Sequence, residues 1–269
     1  MRFGVIYPAY GEQADPSLAA WMAREAERRG AEVFLVWDHF LLPFEGGERT
    51  LEAYTLLSYL AGKTERIRLG TCVTPLPLRD PLLLAKVISS LDVLSDGRVV
   101  VGVGAGWNAP EFEAYGRWEG AGVRVERTGE ALELMVRMWR GEEVSFQGKF
   151  YSARGTLLRP LPLQRPHPPL WFGTTGRRML ELTLRYGDGW IPAALSPRQY
   201  GKLAGFLRER LPGERRESFV FSLQDWVSAE EVADRAREFE REGCRLYCAV
   251  LPAKREEALE LLRKMEELG

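Results

Sequence analysis

Residues 66–110, RIRLGTCVTPLPLRDPLLLAKVISSLDVLSDGRVVVGVGAGWNAP, decide how the chain folds. Their apolar pattern predicts a buried strand, a helix that begins at Asp80-Pro81, and a second buried strand of valines. A strand, a helix and a strand in this order form a βαβ unit, so the two strands are predicted to be parallel. Both strands end in small residues, at 71–74 and 102–106, which indicates space for a flat, bulky group against the backbone.

The alternation of buried strand and helix continues on both sides of this unit. Apolar runs bounded by turn residues predict strands at 3–7, 33–36, 67–73, 99–103, 170–173, 189–192, 219–221 and 246–251. A helix is predicted after each of them. Eight βα units in about 250 residues are typical of a TIM barrel, so residues 1–269 are predicted to form one (β/α)8 domain. A doubly wound sheet is the alternative, but Trp107 stands where the dinucleotide fingerprint needs its third glycine.

Residues 141–169 interrupt this rhythm before the fifth strand. Residues 144–151 predict a small hairpin that turns at Gly148, and the proline-rich residues 161–169 predict a stiff, extended connector. No separate apolar core follows the hairpin. The segment is therefore predicted to be an excursion from one domain rather than a linker between two.

Composition excludes several kinds of partner. The formal charge of -1 gives no sign of nucleic-acid binding, and no run approaches the roughly 18 apolar residues of a membrane span. The three cysteines lack zinc-site spacing and are odd in number, so a reducing cytoplasm is the predicted location. A single asparagine among many arginines and glutamates is typical of a thermophile, although GC-rich codon usage has the same effect.

A TIM barrel places its active site at the carboxyl ends of its strands, and the residues predicted there narrow the chemistry. None is a lysine, which disfavours Schiff-base aldolases. The chain has only two histidines, which disfavours a metal-dependent hydrolase, and no metal site is predicted. Asp38 and His39 follow the second strand directly, so His39 is a candidate proton donor at the barrel mouth. The other interpretation is a structural histidine that caps the loop.

Two glycine-containing turns are candidate binding elements. The first, GTTGRR at 173–178, lies between a strand and a helix, where backbone N–H groups, hydroxyls and guanidiniums form an anion site. The alternative for this segment is a tight turn with solvated arginines. The second, at 102–106, is either a cofactor contact or a place of close strand–helix packing. Cys72 is better explained as a small core residue than as a nucleophile.

Together these motifs resemble the bacterial luciferase-like superfamily of flavin- and deazaflavin-dependent oxidoreductases. The resemblance covers residues 1 to about 190, and more weakly the part from Trp226 onward. The motifs on which it rests are WDHF at 37–40, RIRLGTCVTPLPLRDPLLLAK at 66–86, LDVLSDGRVVVGVGAGWNAPEFEAYG at 91–116, and RPHPPLWFGTTGRRML at 165–180 with YGDGW at 186–190. The WDHF motif favours the branch that uses the 8-hydroxy-5-deazaflavin coenzyme F-420 (F420) over users of flavin mononucleotide (FMN).

The resemblance implies where a cofactor would lie. Cys72-Val73 is expected to be a non-prolyl cis peptide that bulges against the central flavin ring, with Thr74 beside it. His39, together with Asp38, is expected at the reactive edge of that ring. The residues expected toward the phosphate are Ala105, Gly106, Gly173, Thr174, Thr175, Gly176 and Arg177. Members are often homodimers that pair through helices two and three, so a homodimer is expected.

The function that the resemblance implies is hydride transfer between the cofactor and a small organic substrate, with His39 as the acid–base residue. The FMN alternative is a two-component monooxygenase that takes reduced flavin from a separate reductase and uses oxygen. Further alternatives are a non-catalytic flavin-binding protein and an unrelated barrel enzyme for sugar phosphates. Some deazaflavin sugar-phosphate dehydrogenases carry a carboxylate at the position of Trp107, a departure that argues against that chemistry here.

Overall fold

The predicted strands form a closed parallel barrel in the computed structural model, which describes residues 1–268. The strands of this part of the chain are β1 (Arg2–Tyr7), β2 (Val33–Val36), β3 (Arg68–Thr71), β4 (Thr74–Pro75), β5 (Val99–Gly104), β6 (Val144–Gln147), β7 (Ser152–Thr156), β8 (Leu170–Phe172), β9 (Gly189–Trp190), β10 (Val220–Asp225) and β11 (Leu246–Val250). Around the barrel the order is β3, β2, β1, β11, β10, β9, β8, β5, and parallel pairing of β5 with β3 closes it. The TIM-barrel prediction is confirmed.

Helices cover the outside of the barrel. In the described part of the chain they are α1 (Pro16–Arg28), α2 (Ala53–Ala61), α3 (Pro81–Leu94), α4 (Ala109–Tyr115), α5 (Ala121–Trp139), α6 (Arg177–Tyr186), α7 (Pro197–Arg210), α8 (Gly213–Ser218), α9 (Val232–Arg241) and α10 (Arg255–Glu266). The Asp15 and Asp80 carboxylates accept hydrogen bonds from backbone N–H groups at the starts of α1 and α3. Ser196 forms a capping box with Gln199 at the start of α7. The helix start predicted at Asp80-Pro81 is therefore confirmed.

The excursion between β5 and β8 is more ordered than the sequence indicates. The short helix α4 lies in a region for which no helix is predicted, and the hairpin extends beyond residue 151 to Thr156. The Glu130 carboxylate accepts hydrogen bonds from the N–H groups of Lys149, Phe150 and Tyr151. Residues 149–151 thereby form the turn, and the second strand of the hairpin starts one residue later.

Two apolar layers hold the barrel together, as alternating strand residues require. One layer lies between strands and helices and includes Val5 and Tyr7 of β1. The other fills the barrel interior and includes Ile6, Trp171 and Cys248. The interior is therefore a packed core, and only its carboxyl end is open for a ligand.

The glycines at the strand ends allow close contacts within the protein. A Cβ atom on Gly102 would clash with the backbone carbonyl of Thr71, and one on Gly104 or Gly173 would lie within 2.8 Å of a Val73 methyl carbon. These small residues therefore make room for β3 and for the Val73 side chain. Gly104 and Gly173 also line the cavity described below, so their contact with a flat group stays a prediction.

Substituting Gly102 by alanine is expected to destabilise the protein by about 1–3 kcal/mol, because the added methyl has only rigid backbone to displace. The free energy of unfolding in urea measures this. Gly205→Ala is the control, since nothing lies within 4 Å of a Cβ there and alanine is the better helix former in α7. Equal effects of the two substitutions would contradict the close β3–β5 contact.

Candidate active site

A cavity of about 650 Å³ opens at the carboxyl ends of the barrel strands. Its lining consists of Trp37, His39, Leu42, Phe44, Cys72, Val73, Pro75, Gly104, Ala105, Gly106, Trp107, Glu111, Gly173, Thr174, Thr175, Gly176, Met179, Ile191, Ala193, Gln224 and Trp226. The predicted site residues among them are His39, Cys72, Val73, Ala105, Gly106, Gly173, Thr174, Thr175 and Gly176. Asp38, Thr74 and Arg177 are not part of the lining.

The wall formed by β3, β5 and β8 has a protruding side chain at its centre. The Cys72–Val73 peptide bond is cis, as the family resemblance implies. The Val73 methyls lie against Gly104 and Gly173, and all three residues line the cavity. Gly106 has a φ of +80°, and a Cβ there would clash with the buried Phe112 ring, so only glycine fits this position. The result is a wall whose backbone is open to a planar ligand on either side of Val73.

The His39 imidazole lies within hydrogen-bond distance of a buried carboxylate. Its Nδ1 lies 3.0 Å from Glu111 Oε2, and the Glu111 side chain is 1% exposed. Glu111 Oε1 also accepts hydrogen bonds from the backbone N–H groups of Phe40 at 2.6 Å and Leu41 at 3.3 Å. The carboxylate is therefore acceptor to Nδ1–H, and Nε2 is the nitrogen left for a ligand.

Glu111 is a site residue that the sequence did not reveal. It lies in α4, 72 positions from His39, and nothing in the spacing of WNAPEF marks it. The sequence offered one signal nearby, because Asn108, the single asparagine of the chain, lies three residues earlier. Its side-chain amide donates to the Leu41 carbonyl at 2.6 Å. Two polar side chains of one short segment thus hold the loop that carries His39.

The prediction that Asp38 is catalytic does not fit its position. Its buried carboxylate accepts from Arg79 Nη2 at 2.5 Å and Nε at 3.2 Å, outside the cavity lining. The same guanidinium donates to Glu52 at 2.8 Å and lies 4.7 Å from the Phe40 ring centroid. Burial raises the pKa of the Asp38 carboxyl, and the charge of Arg79 opposes that effect. Asp38 is placed to anchor the loop rather than to meet a substrate.

Asp38→Asn is expected to lower the free energy of unfolding by about 2 kcal/mol, because Arg79 then faces a neutral amide in a buried place. Urea unfolding measures this effect. For comparison, Glu209→Gln removes an exposed partner of Arg210 and is expected to change the free energy by less than about 0.5 kcal/mol. A stable variant that has lost turnover would instead restore a catalytic role for Asp38.

Two other predicted cofactor residues lie elsewhere. The Thr74 hydroxyl is buried between the hydroxyls of Tyr54 at 2.8 Å and Thr71 at 2.9 Å. Arg177 has an 87% exposed side chain that pairs with Glu181 on α6. Neither side chain lines the cavity, because that of Thr74 is bound inside the core and that of Arg177 extends into solvent. The prediction that these two side chains bind a cofactor is therefore corrected.

Cys72 is a structural thiol. Burial raises its pKa to about 12, so it is protonated at neutral pH. Its Sγ–H donates to Gln224 Oε1 at 3.1 Å, and the same oxygen accepts from Trp37 Nε1 at 3.1 Å. The core interpretation of Cys72 is the one that the geometry supports.

The turn at 173–176 has the features of an anion site. All four residues line the cavity and lead into α6, whose N-cap Gly176 provides no side-chain cap. The first N–H groups of α6 therefore have no side-chain acceptor, and a Cβ on Gly176 would meet nothing within 4 Å. A phosphate site at this end of the cavity stays a prediction.

Known proteins resemble this chain in sequence and in fold. A family model described as luciferase-like monooxygenase matches residues 1–247. An F420-dependent glucose-6-phosphate dehydrogenase of Gordonia bronchialis is 30% identical over 231 residues, 85% of this chain and 66% of that protein. An FMNH2-dependent dimethylsulfone monooxygenase of Pseudomonas putida is 32% identical over 171 residues, 63% of this chain and 47% of that protein. The chain spans only part of each.

Among solved structures, the chain is similar to an F420-dependent secondary alcohol dehydrogenase in complex with an F420–acetone adduct. The TM-score is 0.85 at 20% identity, with 100% of this chain and 98% of that chain covered. This similarity concerns the fold. Within residues 1–268, no helix is both long enough and apolar enough to span a membrane.

Proposed function

The chain belongs to the luciferase-like monooxygenase family, and on this basis we propose that it is an F420-dependent oxidoreductase that moves hydride between the coenzyme and a small organic substrate. The observation that carries the proposal is the His39–Glu111 pair, because it is the only acid–base pair in the lining of the described cavity. The F420-dependent relative, which matches 85% of this chain, supports the choice of coenzyme.

The cavity wall fits such a coenzyme. F420, when bound, supplies the ring carbon that gives or takes the hydride. We propose that Val73, Ala105 and Gly106 contact the ring system, because they form the open backbone wall. The N–H groups in the first turn of α6, which follows the turn at 173–176, would hold the phosphate, because no side chain caps them.

His39 then moves the proton that accompanies the hydride. When a substrate oxygen gains a proton, Nε2 donates it, and in the reverse direction Nε2 takes it. Glu111 keeps its contact with Nδ1–H in both directions and so holds the orientation of the imidazole. The surrounding apolar side chains limit access of water to this proton.

A flavin monooxygenase is the second candidate. The observation in its favour is the 32% identity to an FMNH2-dependent monooxygenase. The same wall and the same anion site would accept FMN, and a separate reductase would then be a partner. The two candidates differ in whether oxygen takes part.

Titration with each cofactor separates the candidates. We expect oxidised F420 to bind at micromolar concentration, as followed by its fluorescence, and to be reduced only when substrate is present. Oxygen consumption with reduced FMN, measured in an oxygen electrode, would replace the first candidate by the second. If neither cofactor binds, both candidates fail.

We also propose that the chain forms a homodimer through α2 and α3, which pack side by side. Leu83 and Leu94 on α3 are 65% and 67% exposed, and Val87 lies between them on the same face. Tyr59 extends this apolar surface on α2. Exposed leucines on one face are typical of an interface. Sedimentation velocity is expected to show a dimer, and a monomer at all concentrations would contradict it.

A further inference from the structure

Five aromatic side chains form a continuous series of contacts at the mouth of the cavity. We call this series the aromatic arc; its members are Tyr10, Trp37, Phe44, Trp107 and Trp226. By ring centroids, Trp37 lies 6.1 Å from Trp226 and 5.9 Å from Tyr10. Phe44 lies 6.3 Å from Tyr10 and 6.5 Å from Trp107. The arc thus runs from the end of β10, past the ends of β2 and β1, to the segment after β5.

One end of the arc is at the reacting group. The Trp107 ring meets the His39 imidazole edge-on at 5.7 Å. Phe44, Trp107 and Trp226 are 50%, 57% and 51% exposed, and all three line the cavity. Phe44 and Trp107 are in contact, and Trp37 and Tyr10 connect them to Trp226. Scattered exposed aromatics are ordinary, but a connected series beside a catalytic candidate forms a surface that a ligand would cover favourably.

The lining offers no positive side chain to a charged substrate. No lysine or arginine lines the described cavity, and its one carboxylate, Glu111, is already paired with His39. The partial positive charge at the N-terminus of α6 lies at the other end of the cavity, and in the proposed function it holds the coenzyme phosphate. A phosphorylated sugar would therefore lose hydration without gaining a countercharge.

One polar group on the arc side has a hydrogen-bond donor to spare. Gln224 Oε1 accepts from Trp37 Nε1 and from the Cys72 thiol, both at 3.1 Å, which defines the orientation of the amide. Its Nε2 has no partner within residues 1–268, and Gln224 lines the cavity. A carbonyl or similar neutral oxygen is the acceptor that this NH2 group suits.

We propose that the substrate is a neutral, flat and largely apolar molecule with one oxygen acceptor, held between the aromatic arc and the Val73 wall. Gln224 would orient the acceptor, and the arc would supply stacking surface. This inference rests on the proposed function, because the Val73 wall and the helix N-terminus are taken to belong to the coenzyme.

The test compares three probes by isothermal titration calorimetry on protein saturated with oxidised coenzyme, which cannot pass hydride to a ketone. The probes are 2-acetonaphthone, which is flat and neutral, 2-naphthoate, which has a similar ring and a negative charge, and glucose 6-phosphate. We expect 2-acetonaphthone to bind at least about tenfold more tightly than either anion, because only it avoids an unpaired charge.

Substitutions locate the binding. Trp107→Ala and Trp226→Ala are each expected to weaken 2-acetonaphthone binding by about tenfold through lost stacking surface. Gln224→Glu, which replaces the donor by a carboxylate, is expected to weaken it similarly. Trp118→Ala is the control, because this tryptophan is exposed outside the cavity lining. It should leave the affinity unchanged.

The outcomes separate this inference from the proposed function. Two results would overturn the inference and leave the proposed function standing, provided that the coenzyme binds. One is tighter binding of glucose 6-phosphate than of 2-acetonaphthone. The other is 2-acetonaphthone binding that neither the Trp107 nor the Trp226 substitution weakens. If no coenzyme binds, the titration is repeated on the protein alone. 2-Acetonaphthone binding that still depends on Trp107 and Trp226 would then support the aromatic site, while the proposed coenzyme chemistry fails. If 2-acetonaphthone does not bind either, both the inference and the proposed function are overturned.

Discussion

Replacing His39 with alanine is expected to lower turnover by about 100- to 10,000-fold while the affinity for the coenzyme changes little. The reason is that the lining of the described cavity offers no second group to move the proton, since Glu111 is engaged by Phe40 and Leu41. Steady-state kinetics give the loss in turnover, and a fluorescence titration with F420 gives the affinity.

His167 provides the matched control, because it is the only other histidine. It lies in the proline-rich connector, where its ring contacts Trp139 and its Nδ1 lies 2.9 Å from the Pro168 carbonyl oxygen. His167→Ala should keep full turnover. If His39→Ala also keeps full turnover while the coenzyme still binds, the chain is a flavin-binding protein without catalysis, one of the alternatives that its sequence leaves open.

Glu111→Gln is expected to reduce turnover at least about 100-fold, as amide replacements of histidine-orienting carboxylates do in hydrolytic triads. The amide can still accept from Phe40, so the loop keeps its main anchor. Its NH2 group, however, would face Nδ1 and favour the tautomer with the proton on Nε2. The loss should appear in kcat rather than in coenzyme affinity, because Glu111 acts through His39.

Glu113→Gln is the control for this substitution, because Glu113 is an exposed carboxylate two residues further along α4. It should behave like the unmodified protein. Equal turnover of the Glu111 and Glu113 variants would show that the backbone alone positions His39 and that the His39–Glu111 hydrogen bond has no part in the chemistry.

Interactions between residues close in the sequence determined the order of helices and strands and the residues at which many helices begin. Asp15, Asp80 and Ser196 start helices because their side chains meet N–H groups two or three residues away, and such contacts are readable from adjacent letters. The apolar runs determined the barrel, because eight buried strands joined by helices have few other ways to be covered. Short elements such as α4 and α8 escaped prediction, because tertiary contacts rather than periodicity stabilise them.

The sequence by itself determined that a barrel opens at a ring of residues that includes His39. Only the tertiary structure decided that Asp38 faces Arg79 while its neighbour faces the cavity, since successive residues of extended chain point to opposite sides. It also decided that Val73 occupies the space left by the glycines and that Glu111 meets His39. These contacts join residues up to 100 positions apart, and closure of the barrel alone brings them together.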